Sequence, residues 1–222
     1  KMNQKYQDIL EKLISKNRKQ NIDLVLSKRT RFVSVLLENI YQSHNISAVM
    51  RTCDNLGIQD IYSLKSDKIK KSGKNVSLGA EKWLTIKTKA DNEDYKHYID
   101  GIKKSGYKII GTVPNFEDST IDISKIKFDK KIIIAFGNEE KGLSDNLIRN
   151  CDEIISIPMY GFTESYNISV SCAIILSNII FKLRNNKKRI YLSNDEKKAL
   201  RFEWIKRSIK NVDLILKNIK KK

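Results

Sequence analysis

Residues 156–176 read SIPMYGFTESYNISVSCAIIL. A short apolar strand runs into Pro158, which has no N–H to offer a sheet, so strand pairing ends there. Small and polar residues follow, and an apolar run of helical length starts near Asn167. Ser165, Asn167 and Ser169 collect where that helix begins. Serine or asparagine at such a place caps the helix by accepting from its free N–H groups. Capping accounts for one of them, and the rest of the run points to a junction that holds something.

Upstream, the same alternation repeats. FVSVLLENI (32–40), DIYSL (60–64), LTIKT (84–88), YKIIGTV (107–113), KIIIAFG (131–137) and EIISIPM (153–159) are short β-branched runs. Helical patterns lie between and after them at 45–56, 91–105, 143–151 and 167–183. Short strands alternating with helices predict an α/β domain, a mostly parallel sheet covered on both faces. Such sheets bind ligands beyond the carboxyl ends of their strands, which nominates the loops 41–46, 111–116, 137–142 and 159–167.

The chain has 222 residues and is 40% hydrophobic, enough for one sizeable core with extensions. Its net charge of +17 is unevenly placed. Residues 1–31 hold nine Lys/Arg against three Asp/Glu, residues 182–222 hold 15 against four, and residues 32–181 balance 19 against 19. A neutral middle between basic ends suggests a polyanion gripped mainly by the ends. A membrane surface fits less well, since no Trp/Phe-rich face accompanies the charge. No apolar run reaches the roughly 18 residues of a membrane span. The opening KMNQKYQDIL has no signal-peptide core, so a cytoplasmic protein is expected and the two NIS triplets, at Asn45 and Asn167, are not read as glycosylation sites. Cys53, Cys151 and Cys172 have neither disulfide-framework nor zinc spacing and read as reduced thiols; no metal site is expected.

The two ends read as helical. Tyr6, Ile9, Leu10, Leu13 and Ile14 recur at helical spacing. SNDE (193–196) is a capping-box pattern, and Phe202, Ile205, Ile209, Val212, Leu216 and Ile219 then recur at intervals of three and four. That spacing predicts one amphipathic helix with a Lys/Arg-rich outer face, packed on the domain or on the other terminal helix. The expected division is 1–31, 32–183 and 184–222.

Two further stretches share the ligand edge with 156–176. In ENIYQSHNISAVMRTCDNLGI (38–58), Asn45 falls at the cap or first turn of a helix that also carries Ser47 and Arg51; taken alone, Arg51 is also an ordinary surface arginine. In IIIAFGNEEKGLS (132–144), Gly137 and Gly142 bracket a loop that permits close approach of backbone to a ligand. It is neither a phosphate-binding P-loop nor a GxGxxG turn, and alone it is also an ordinary turn with exposed glutamates.

Together, NISAVMR, GNEEKG and IPMYGFTESYNISV resemble, in order and spacing, the three signature motifs of the SpoU/TrmH 2′-O-methyltransferases of the SPOUT superfamily, over roughly residues 32–183. Tyr166 replaces the leucine most common between the motif's Ser and Asn, and Asn138 stands at a variable position. The resemblance implies a SPOUT-type fold with a C-terminal deep trefoil knot, which general topology rules alone would exclude. It implies S-adenosyl-L-methionine as cofactor, held by Thr112, Val113, Gly137, Ile157, Met159, Ser165, Tyr166 and Asn167, and a homodimer that completes the sites. Arg51 would engage the ribose 2′-hydroxyl, supported by Asn45, Glu139, Ser165 and Asn167. An arginine is normally always protonated, so Arg51 acts either as a transient base aided by a substrate phosphate or as a cation stabilising the forming alkoxide.

Relatives that modify large ribosomal RNA often carry an extra globular domain, for which residues 1–31 are too few. The chain is more similar to members that methylate guanosine 18 in the tRNA D-loop, which have short helical extensions at both ends. Methylation of ribosomal RNA or another tRNA position, and a non-catalytic RNA-binding role, stay open as alternatives. A nucleotide-dependent oxidoreductase lacks its glycine fingerprint.

Overall fold

The computed structural model describes residues 2–65, 78–114, 120–186 and 190–220, so positions 115 and 116 of the expected 111–116 loop lie outside the described residues. The chain divides into two compact units, residues 30–190 and residues 1–29 with 191–222.

Among the described residues, the larger unit is built on seven strands: β1 (Val33–Leu37), β2 (Asp60–Ser63), β3 (Thr85–Thr88), β4 (Tyr107–Val113), β5 (Ile121–Asp122), β6 (Lys131–Phe136) and β7 (Glu153–Ser156). Their order is β3-β2-β1-β6-β4-β7-β5, and all six pairings are parallel. Alternating side chains feed two cores. Val33, Val35, Leu37, Ile132, Ile134 and Phe136 face one side, where α3 (Ser43–Leu56) and the long helix Ile168–Asn185 pack. Leu36, Ile133 and Ala135 face the other, covered by α4 (Tyr95–Lys104) and α5 (Asp145–Asn150). Burial on both faces is why these strands read as continuous apolar runs.

The long helix, α6 (Ile168–Asn185), is long and apolar enough by composition to cross a membrane, which a search for uninterrupted apolar runs overlooks. Seven of its residues are buried, including Cys172, Ile175, Leu176 and Ile179. Cys53 on α3 and Cys172 on α6 are buried and unbridged, and Cys151 is also free. Burial, then the neighbouring Cys53 thiol, pushes the Cys172 pKa well up.

Several sequence expectations shift, and the strand expected at 32–40 ends at Leu37. The strand expected at 153–159 stops at Ser156, where pairing with β4 ends, so Ile157 and Met159 belong to a loop. Thr112 and Val113 lie on β4 itself. The two-residue β5 was not foreseen.

The smaller unit is helical: α1 (Met2–Lys12), α2 (Lys16–Ser27), α7 (Asn194–Arg207) and α8 (Val212–Lys220). α1 and α2 pack on α7, burying Leu10, Ile22, Leu26, Leu200, Trp204 and Ile205. The Arg29 guanidinium lies 5.1 Å from the Trp204 ring centroid, and Arg201 bonds Asp23 and Glu11. The capping box at Ser193 and Glu196 is formed. The single C-terminal helix expected from spacing is instead two. Ser208 closes α7, and Asn211 takes a φ of +55°, a left-handed conformation that asparagine tolerates better than most residues.

Candidate active site

The site forms at the carboxyl edge of the sheet, where β1, β4, β6 and β7 end. Among the described residues, three of the segments that leave that edge carry the site: 38–45 after β1, 137–144 after β6, and 157–167 after β7. Between the last two lies a cavity of ≈ 470 Å³. Thr112, Val113, Gly137, Ile157, Met159, Ser165, Tyr166 and Asn167 all line it, so all eight residues expected to hold a cofactor are brought together.

The 137–144 loop doubles back on itself. Asn138 and Gly142 exchange backbone hydrogen bonds of 2.8 and 2.9 Å, and Gly142 has a φ of +66°. A Cβ on Gly137 would lie 2.1 Å from the Gly142 carbonyl carbon, a separation no side chain survives, so glycine is required there.

One carboxylate ties this loop to the segment after β1. The Glu139 carboxylate accepts from the Tyr41 N–H at 2.8 Å, the Gln42 N–H at 3.1 Å and the Asn45 amide at 2.9 Å. Gln42 is the N-cap of α3 but makes no side-chain cap bond, so Glu139 supplies the acceptors that this helix end lacks. Burial raises the Glu139 pKa, but the hydrogen bonds from Asn45, Tyr41 and Gln42 more than offset it, leaving the carboxyl below its usual range. With both oxygens engaged by donors, Glu139 is an anchor.

Asn45 extends the chain of bonds. Its carbonyl oxygen accepts from the Asn167 amide at 3.3 Å, and the Asn167 oxygen in turn accepts from the Ser169 N–H at 2.8 Å as the N-cap of α6. Glu139, Asn45 and Asn167, one from each of the three stretches singled out in the sequence, therefore form one hydrogen-bonded series. Ser165 stands at the cavity wall, while Asn167 performs the capping.

Arg51 is the exception. It is exposed on α3 and lies outside the cavity lining, six residues and therefore about 9 Å along the helix from Asn45. Sequence reasoning also missed Glu38, which is buried at the end of β1 and bonded to Ser144. A glutamate following a strand gives no signal of burial, because the burial depends on a serine 106 residues away.

The chain is similar to known proteins in sequence and fold. A tRNA (guanosine(18)-2′-O)-methyltransferase from Borreliella burgdorferi is 34% identical over 207 residues, covering 93% of each chain. One of the same name from Aquifex aeolicus is 30% identical, over 88% of this chain and 92% of that one. The crystal structure of the A. aeolicus TrmH/SpoU tRNA modifying enzyme superposes with a TM-score of 0.77 at 27% identity, covering 90% of this chain and 98% of that one. A SpoU methyltransferase, AviRb from Streptomyces viridochromogenes, solved with the cofactor AdoMet, shares the fold at a TM-score of 0.60 and 23% identity, covering 74% of this chain and 62% of that one. Residues 33–177, which hold all three stretches and the whole hydrogen-bonded series, match a family description: the chain belongs to the SpoU rRNA Methylase family.

Proposed function

We propose that the chain is an S-adenosyl-L-methionine-dependent RNA methyltransferase that modifies the ribose 2′-hydroxyl of guanosine 18 in the tRNA D-loop. The observation that carries this reading is the Glu139–Asn45–Asn167 series beside a cavity lined by all eight expected cofactor residues. Family membership supports the chemistry, and the names of the B. burgdorferi and A. aeolicus relatives support the substrate.

The residues present fit the cofactor. Gly137 leaves a cradle with no side chain, and the Ile157–Met159 loop has left the sheet, so its backbone is available for recognition by main-chain atoms. S-adenosylmethionine, when bound, supplies an electrophilic methyl group on a sulfonium. The protein's part is to align the ribose hydroxyl with it and to help remove the hydroxyl proton. Arg51 has that role, as a transient base or as a cation facing the forming alkoxide, and Asn45, Glu139, Ser165 and Asn167 hold the surrounding frame.

Because Arg51 stands outside its own cavity lining, the complete site needs a further surface. A homodimer supplies it. Val170, Ile174 and Phe181 form an exposed apolar stripe on α6, between 39% and 56% accessible, suited to burial against a second copy. The finer fold is a deep trefoil knot. Its support is the strand order, in which β7 sits between β4 and β5 although those two are consecutive in sequence. Residues 32–183 carry the chemistry, and the basic extensions 1–31 and 184–222 grip the tRNA. Affinity should fall steeply with salt, since each phosphate contact releases counterions.

Labelled S-adenosylmethionine, unmodified tRNA transcripts and nuclease mapping test the whole, with Arg51→Ala as control. Label at the D-loop guanosine, lost in the mutant, is the expected result. Label elsewhere in tRNA, or only in ribosomal RNA, would overturn the substrate. Failure to bind the cofactor would leave an RNA-binding protein.

A further inference from the structure

The segment after β1 and the loop after β6 are tied at three points. Two involve residues at the site: Glu139, as above, and Asn138, whose amide donates to the Asn39 carbonyl at 2.9 Å. The third lies behind them. Glu38 is 3% exposed, and its carboxylate accepts from both the backbone N–H and the hydroxyl of Ser144, each at 2.7 Å. Its own N–H donates to the Phe136 carbonyl at 2.9 Å. One residue thus holds the chain where it enters the 137–144 loop and where it leaves.

Helix capping does not require this. Ser144 is itself the N-cap of α5, and its hydroxyl oxygen accepts from the Leu147 N–H at 3.2 Å. Burying a carboxylate is costly, and an apolar side chain of similar volume often does as well for stability. What the carboxylate adds is a fixed separation between the end of β1 and residue 144. Slack there would reach the cavity at once, because Gly137 and Gly142 are already too close for a methyl group between them. The Tyr95 hydroxyl is buried at the same place without a hydrogen bond of good geometry. Burial, then the Glu38 charge, pushes its pKa up, so it stays a neutral phenol beside the carboxylate.

We infer that Glu38 is a positioning residue for the cofactor cavity, acting through Ser144 on the 137–142 loop and touching neither cofactor nor RNA. The inference rests on the S-adenosylmethionine reading of the cavity. It predicts a specific split. In the full chain, Glu38→Gln should weaken S-adenosylmethionine binding by calorimetry, and raise its KM, about tenfold, the worth of one hydrogen bond to a charge. Turnover at saturating cofactor and tRNA affinity should stay within about twofold of the parent, since the reacting groups are undisturbed. Ser144→Ala should give the same split, and the double mutant should be no worse than the worse single, because both act on one link.

Cofactor affinity unchanged while the melting temperature falls would make Glu38 merely structural and overturn the inference, as would a loss confined to turnover. Should Glu38→Gln fail to fold, Ser144→Ala decides alone by the same split. A parent protein that binds no S-adenosylmethionine would overturn the cavity reading itself, an outcome distinct from normal parent binding with unaltered mutants.

Discussion

The two edges of the sheet are both polar, and they use polarity in opposite ways. At the amino edge, the buried Asp60 carboxylate is paired with Arg31 at 3.0 Å and Lys87 at 2.9 Å. Lys87 also reaches the Tyr62 hydroxyl at 2.8 Å, and the Tyr107 hydroxyl, accepting from Ser34, donates to the Arg31 carbonyl. Charge meets charge there. At the carboxyl edge, Glu38 and Glu139 are held by backbone N–H groups, a hydroxyl and an amide, and the loops they fix stand around a cavity. Carboxylates bonded to backbone position the chain, whereas carboxylates bonded to cations close an edge. Substitutions at the carboxyl edge should therefore damage activity ahead of stability, and those at the amino edge the reverse.

Gly137→Ala is the most severe test. Its Cβ would meet the Gly142 backbone at 2.1 Å, so the loop must move by more than an ångström or so. A displacement of that size at a reacting centre suggests a fall in kcat/KM of about 1,000-fold, roughly 4 kcal/mol. Steady-state kinetics on protein with a near-parental circular dichroism spectrum would check it. Activity within tenfold of the parent would mean that the cavity is not where the cofactor binds.

Asp60→Asn should do the reverse. Removing the charge leaves Arg31 and Lys87 around an amide, and breaking a buried pair in this way costs about 3 kcal/mol. Urea unfolding would show the loss, with turnover of the folded fraction unchanged. A drop in turnover at intact stability would join the two edges functionally and dissolve the contrast.

Glu139→Gln falls between. Three donors face the carboxylate, and the introduced amide would turn its own N–H groups on one of them, at a cost of about 2 kcal/mol. The start of α3 should loosen and activity should fall with it. The pH dependence supplies a second reading. Because the folded carboxyl lies below its usual range, the stability it contributes is fully present above the ordinary glutamate pKa of about 4.3 and is lost as pH falls through the lower folded value. The parent-minus-mutant stability difference should shrink on that acid limb. A difference independent of pH would mean that the carboxylate's charge is irrelevant to the anchor.

The contrast between the edges was only half legible in the sequence. The carboxyl edge announced itself because its residues cluster in three short stretches, one bracketed by glycines and the other two marked by helix-start residues. The amino edge did not, since Arg31, Asp60 and Lys87 are 29 and 27 residues apart and lie in no pattern. For the same reason nothing in the sequence singled out Glu38, whose partner Ser144 is 106 residues away. Strand positions were readable because both sheet faces are apolar, yet β7 ended early, at Ser156 before Pro158, and β5 is too short to carry a period. Helix α2 was not set apart within the helical 1–31 extension, as only Ile22 and Leu26 among its apolar residues are buried. The break at 208–211 was hidden by apolar spacing that continues through it, because spacing reports a face and not the backbone turn at Asn211.

Lys87→Met is the mildest test, and it asks how closed the amino edge is. The lysine side chain is 45% exposed although its partner Asp60 is buried. Its ammonium lies 2.9 Å from Asp60 and 4.6 Å from the Tyr62 ring centroid. Burial first, and then the Asp60 charge, lifts the Tyr62 pKa to about 12, so the phenol is neutral at working pH and accepts from Lys87 without competing for its charge. Methionine keeps an unbranched apolar stem and removes only the ammonium. Solvent around so exposed a cation should hold the loss below about 1 kcal/mol, and 1 M salt, with a Debye length of about 3 Å, should remove most of what remains. Arg31 still satisfies Asp60 in the mutant, so the buried carboxylate is not stranded as it would be by losing both cations. A stability gap that survives 1 M salt would mean that the ion pair is shielded from solvent, and that the amino edge is drier than the exposure of Lys87 implies.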